Sequence, residues 1–126
     1  MTVVLDASAL LAYLQNESGQ EKVEAVLSTA VISSVNWAEV VQKSVAAGVD
    51  TAGMQHDVIA LGLSIQPFTA DDADYTGQLW PQTRPFGLSL GDRACLGLGI
   101  KLQAQVLTAD RIWTELKLPI TIQSLR

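Results

Sequence analysis

Hydrophobic and polar positions along the chain follow two alternating patterns. Short unbroken apolar runs give way to longer stretches with apolar residues at helical spacing. The first run, Thr2 to Leu5, is largely β-branched and has no polar face, so it reads as a central strand covered on both sides. Leu10, Leu11 and Leu14 then predict a helix over Ala7 to Leu14, with Asp6 or Ser8 as its cap. Asn16 to Gly19 breaks that pattern. Gln20 to Thr29 predicts a second helix, with Val23, Val26 and Leu27 inward and Glu17, Glu21 and Glu24 in solvent. Ala30 to Ser33 is a short strand, and Ser34 caps a helix from Val35 to Ala47 that Gly48 ends. Another helix starts at Asp50 or Thr51 and runs through Leu61. Ser64 to Phe68 is a third strand, assigned to a sheet edge by its terminal proline.

The second half repeats the alternation. Thr69 caps a helix that reaches about Trp80, with Asp71 and Asp72 in its first turn, where the helix dipole favours acids. With Asp74 they read as a solvated helix start. Pro81 to Gly87 reads as an irregular loop. Ser89 caps a helix from Leu90 to about Leu102. Gln105 to Leu107 is a fourth strand, followed by Thr108-Ala109-Asp110. A short helix, Arg111 to Leu116, precedes a last strand from Ile120 to Gln123. No linker or repeat interrupts the series. The expected fold is one domain, residues 1–126, built as a three-layer α/β/α sandwich on a mainly parallel sheet.

Composition narrows the class. At 48% apolar, the 126 residues support one buried core and are not disordered. No apolar run is long enough to cross a bilayer, and no basic-then-apolar leader opens the sequence, so a cytoplasmic protein is expected. A single cysteine, Cys95, excludes an internal disulfide and a cysteine-rich metal site, and it reads as a small buried hydrophobe. The net charge of −5 counts against a broad electrostatic surface for phosphate. Acids gathered in one metal-binding cleft would lower the charge without repelling such a substrate once cations are bound.

Four acids carry the chemical reading. In parallel α/β units, helix amino ends lie along the same sheet edge as strand carboxyl ends. Asp6 and Asp110 follow strands. Glu39 lies in the first turns of the helix after strand two, and Asp92 in the first turn of the helix before strand four. All four therefore project at one edge, and a reversal of strand order between strands one and four would open a crevice there. Each acid alone has a plainer reading: Asp6 and Asp110 as helix caps, Asp92 as an acid that favours the dipole, Glu39 as an ordinary helical acid. Their joint placement is what points to a site. At ~5 Å and an effective dielectric of ~20, each like-charged pair costs on the order of 3 kcal/mol. Hard cations with oxygen ligands, Mg²⁺ or Mn²⁺, relieve that cost, whereas a set without His or Cys disfavours zinc. Such a cation activates water for attack on a phosphodiester.

Further residues belong near this edge. Ser8 and Thr108, each two positions from an acid, can bond a carboxylate. Asn36 stands one helical turn before Glu39 on the same face. Arg93, beside Asp92, either holds a phosphate or pairs with an acid. Arg84, in the proline-rich loop, either touches RNA or is an ordinary solubilising loop residue. Trp37, Trp80 and Trp113 could stack on bases, but Trp37 and Trp113 sit among apolar neighbours and read rather as core or dimer contacts. His56, the only histidine, lies away from the cleft. Gly91, Gly97 and Gly99 fall within one helix, which implies close packing there.

Val4-Leu5-Asp6-Ala7-Ser8, Ser33-Ser34-Val35-Asn36-Trp37-Ala38-Glu39-Val40, Leu88-Ser89-Leu90-Gly91-Asp92-Arg93-Ala94-Cys95-Leu96 and Val106-Leu107-Thr108-Ala109-Asp110 together carry a resemblance. Over essentially its whole length the chain resembles the PIN-domain endoribonucleases of the VapC toxin type, from prokaryotic toxin–antitoxin pairs. The resemblance implies that Asp6, Glu39, Asp92 and Asp110 bind Mg²⁺ or Mn²⁺ and support RNA hydrolysis. It also implies a homodimer, a cognate antitoxin that inserts a segment near the cleft, and tRNA or rRNA as target. Two other classes stand beside it. A strand ending in Asp6 is shared with aspartyl-phosphate domains, but position 8 is a serine rather than a second acid and no lysine follows a strand end. A non-catalytic partner-binding module with an acidic pocket is the other.

Overall fold

The computed structural model describes residues 1–126. Five strands form one sheet, all pairs parallel: β1 (Val3–Leu5), β2 (Ala30–Ser33), β3 (Ser64–Gln66), β4 (Gln105–Thr108) and β5 (Ile122–Ser124), in the order β3-β2-β1-β4-β5. Seven helices connect them: α1 (Ala7–Leu14), α2 (Gln20–Val26), α3 (Ser34–Ala46), α4 (Met54–Ala60), α5 (Ala70–Gln78), α6 (Trp80–Thr83) and α7 (Leu90–Leu102). The expected sandwich is therefore present, with β1 at its centre and β3 at an edge.

Strand alternation builds two cores. Val3 and Leu5 of β1, Ile32 of β2 and Leu107 of β4 face one side, where Leu10 of α1, Val23 of α2, Val40 of α3 and Val58 of α4 cover them. Val4, Val31 and Val106 face the other, under Cys95, Leu96 and Leu98 of α7 and beside Trp113. Both faces of β1 are buried, which is why its sequence carries no polar position. β1 pairs with β2 on one side and β4 on the other, so the chain winds outward in both directions from the β1–β4 seam. A crevice opens at the carboxyl end of such a seam.

Several boundaries differ from expectation; β3, for one, ends at Gln66 rather than Phe68, and α2 at Val26 rather than Thr29. Pro81 to Gly87 is not a loop: it forms α6 and then a 3₁₀ turn over Arg84–Phe86, because each proline stands in a first turn, where its missing N–H costs nothing. The helix expected from Asp50 begins at Met54, held back by Gly53 in a left-handed conformation (φ 77°). Ser33 rather than Ser34 caps α3, and Ser34 Oγ instead accepts from Phe68 N at 3.1 Å. The last strand is shifted to Ile122–Ser124.

Candidate active site at the carboxyl edge of the sheet

Asp6 stands where β1 ends and α1 begins, only 5% exposed. Its Oδ1 accepts from Ala9 N at 2.8 Å and caps α1. Ser8 Oγ donates to Oδ1 at 2.7 Å, and Thr108 Oγ1 donates to Oδ2 at 2.6 Å. The same hydroxyls accept from the backbone that follows β4: Ala109 N reaches Ser8 Oγ at 2.9 Å and Asp110 N reaches Thr108 Oγ1 at 3.1 Å. Two hydroxyls thus stitch the β1–β4 seam and fix the carboxylate between them. Burial pushes the Asp6 carboxyl up to about 6; the bonds from Thr108, Ser8 and Ala9 oppose this, and the charge of Asp92 adds to it.

Glu39 approaches from α3. Asn36 Nδ2 donates to Glu39 Oε1 at 2.8 Å and to the Gly91 carbonyl of α7 at 2.8 Å. Asn36 is 1% exposed, and its Oδ1 has no hydrogen-bond partner. Gly91 is required for this approach: a Cβ there would lie 2.7 Å from the Glu39 carboxylate. Gly99 has a similar reason, since a Cβ would stand 2.6 Å from Val106 of β4, and Gly97 packs under Thr76 and Tyr75 of α5. The close packing read from the three glycines is present.

Asp92 and Asp110 double as caps. Asp92 Oδ2 accepts from Ser89 N at 2.9 Å while Ser89 Oγ accepts from Asp92 N at 3.1 Å, a reciprocal capping box on α7. Asp110 Oδ1 accepts from Ile112 N at 3.1 Å, and Asp110 itself is exposed. Cys95 is fully buried; burial first, and then the charges of Asp6, Asp92 and Glu39, push its thiol well above the usual range. No three of the acids converge closely enough to grip one ion as they stand. Asp6, Asp92 and Asp110 each accept from a backbone amide, and Glu39 accepts from Asn36 Nδ2. The donor set remains all oxygen, and Asn36 Oδ1 adds an unpartnered buried acceptor beside Glu39. This chemistry fits a hard divalent cation.

Other residues fall differently. Arg93 pairs with no acid: Nη1 donates to the Leu88 carbonyl at 3.0 Å and Nε is buried without a partner. Asp72 is more than a solvated residue, since it closes a capping box with Thr69 and pairs with Lys101 at 3.1 Å; its carboxyl is held below the usual range chiefly by the Thr69 amide. Trp37 and Trp113 are core residues, and His56 lies exposed on α4. A recess of about 780 Å³ between the end of β3 and the α5–α7 pair contains none of the four acids. The part played by Gly91 at the site was missed in the sequence, where it read only as a packing glycine.

The PIN domain profile matches residues 3–118. The chain belongs to the PIN-domain family. The match spans Asp6, Glu39, Asp92 and Asp110. No curated protein matches the sequence. Among solved structures, this PIN domain is similar to VapBC2 from Rickettsia felis bound to a fragment of promoter DNA, at TM-score 0.71 and 20% identity over 98% of either chain. It is similar to a toxin–antitoxin complex from Klebsiella pneumoniae, at 0.67 and 18%, over 95% of this chain and 99% of that one. It is also similar to FitAcB from Neisseria gonorrhoeae, at 0.70 and 16%, over 98% and 97%. These likenesses concern the fold. No helix of the PIN domain is long and apolar enough to cross a membrane.

Proposed function

We propose that this PIN domain is a metal-dependent endoribonuclease, the VapC-type toxin of a toxin–antitoxin pair. The observation that carries the reading is Asp6, a buried carboxylate at the sheet's seam fixed by Ser8, Thr108 and the Ala9 amide, with Glu39 brought against α7 through Asn36 and the space at Gly91. Family membership and the toxin–antitoxin neighbours support it.

Asp6, Glu39, Asp92 and Asp110 would hold Mg²⁺ or Mn²⁺. When bound, such a cation polarises the phosphodiester and lowers the pKa of a water for attack. The chain's own residues prepare the site. Ser8 and Thr108 orient the Asp6 carboxylate, and Asn36 engages one oxygen of Glu39, leaving Oε2 open. Arg93 braces the turn before α7 through the Leu88 carbonyl and so helps set the position of Asp92. A homodimer, a cognate antitoxin covering the cleft, and tRNA or rRNA as substrate complete the proposal. An aspartyl-phosphate role suits the site less well, because the groups bonded to Asp6 are hydroxyls and an amide, with no lysine among them.

Incubating total cellular RNA with the purified protein in Mg²⁺, in Mn²⁺ and in EDTA tests this. Discrete fragments should appear with metal, vanish in EDTA, and fall by at least about a hundredfold with Asp92→Asn, in line with loss of an electrostatic catalytic group. Cleavage unchanged by Asp92→Asn would sink the assignment.

A further inference from the structure

The charged residues are segregated in a way the net charge conceals. All four arginines, Arg84, Arg93, Arg111 and Arg126, lie on segments at the acid-bearing edge: before α7, in its first turn, after β4 and after β5. Three of the four lysines lie toward the opposite end. Lys43 and Lys101 are in the last turns of α3 and α7, and Lys117 precedes β5. The chain has 13 acids for 8 lysines and arginines, yet no acid side chain pairs with Arg84 or Arg111; the ion pairs are Lys101–Asp72 and Arg126–Glu17, and Arg111 donates Nε to the Arg126 carbonyl oxygen at 3.0 Å, leaving its two Nη groups free.

Arg84 has another partner. Its guanidinium carbon lies 5.0 Å from the centroid of Trp80, four residues earlier. Trp80 is 48% exposed, while Trp37 and Trp113 are 9% and 1% exposed. The pair is held in place: Thr83 Oγ1 bonds the Leu79 carbonyl at 2.9 Å, and Pro81 and Pro85 stiffen the two short turns. α5 runs antiparallel to α7, with Asp72 against Lys101 at one end and Leu79 against Gly97 nearer the other. Trp80 and Arg84 lie on the turns that carry the chain from the end of α5 to the start of α7, and so on the side of the acid-bearing edge.

We propose that Trp80 and Arg84 form a platform for single-stranded RNA entering the cleft. A base stacks on the exposed ring of Trp80, and Arg84 takes an adjacent phosphate. Arg111, across the cleft on the β4 side, takes a phosphate beyond the acids. An aromatic surface beside a guanidinium suits an unpaired strand, whose bases are free to stack, and not a duplex. This deepens the nuclease reading and rests on it for the identity of the ligand.

Trp80 is the one exposed tryptophan, so intrinsic fluorescence reports on it directly. Titrating the protein in EDTA with a single-stranded RNA oligonucleotide should give saturable quenching, and a fully paired duplex should give none. Trp80→Ala should abolish the signal and weaken binding, read by anisotropy of labelled RNA, roughly tenfold or more, with Trp80→Phe largely retaining affinity. Arg84→Ala should weaken binding and reduce the slope of log affinity against log salt by about one. Unchanged anisotropy affinity in both alanine variants overturns the platform, as does a Trp80→Ala effect confined to self-association in sedimentation. The same oligonucleotide with Mn²⁺ separates the two readings. Trp80-dependent binding without cleavage overturns the nuclease and keeps the platform; cleavage and binding indifferent to Trp80 do the reverse. No binding to any RNA overturns both.

Discussion

Asp6 illustrates what a buried carboxylate costs. Its carboxyl titrates at about 6 in the native chain against 3.8 in the unfolded one, so between those values the native state keeps a proton that the unfolded state has lost. A native pKa above the unfolded value favours folding at low pH, and that contribution is lost as pH rises through about 6. A shift of about 2 units corresponds to roughly 3 kcal/mol carried by the metal-free protein near neutrality. Asp6→Asn keeps the cap and the shape while removing the buried charge. It should therefore be more stable than the parent by up to about 3 kcal/mol near pH ~7.5, with the advantage shrinking toward pH ~4. Urea unfolding at the two pH values measures this. Neighbouring residues show how far sequence reaches at this scale. Asp6, Glu39, Asp92 and Asp110 were legible because strand ends and helix starts are local signals. Arg93 was not, because its partner is a backbone carbonyl, and a carbonyl leaves no mark in a sequence. Trp80 and Arg84 have the i, i+4 spacing of a stacked pair, but the sequence reads as a helix ending at about Trp80 and a loop carrying Arg84, so no shared helical face joins them.

At the scale of elements, the decisive contact joins α3 to α7. Asn36 reaches from α3 to a carbonyl 55 positions away, and Gly91 leaves the space into which Glu39 leans. Neither half of that contact predicts the other from sequence. A helical glycine costs about 1 kcal/mol relative to alanine, so this one is retained against propensity. Gly91→Ala should leave the fold intact or make it more stable by up to about 1 kcal/mol. The added Cβ displaces the Glu39 carboxylate from Asn36, however, and Mn²⁺ affinity should fall about tenfold or more, the scale of losses when a group that orients a ligand is removed. Urea melts beside a Mn²⁺ titration by calorimetry separate the two effects; unchanged affinity would mean that Glu39 does not need its present position. Proline misled the reading of α6 for a related reason. It ends a helix from within but starts one comfortably, and sequence alone did not distinguish the two at Pro81 and Pro85.

At the scale of the whole molecule, the alternation of strands and helices gave the layer architecture, and the unbroken apolarity of β1 placed it at the centre. The strand order around it was available only as a condition, that β1 and β4 be neighbours, and the pairing of Val3 with Gln105 through Leu5 with Leu107 meets it. Every acid of the site then hangs from the rim of a sheet whose two faces are closed by α1–α4 and by α5–α7. Cys95 follows Asp92 by three residues on α7, fully buried, and is the one thiol in the chain. It is therefore a clock. A thiol reagent reaches it only when α7 lifts from the sheet, so the labelling rate counts openings of the layer that carries Asp92. In native buffer, labelling followed by absorbance should be slower by several orders of magnitude than for the unfolded chain and should accelerate exponentially with urea. Fast labelling in native buffer would instead show that the roof of the site opens freely. The same trace, recorded as Mn²⁺ is added, turns the buried sulfur into a gauge of whether a cation locks α7 to the rest of the molecule.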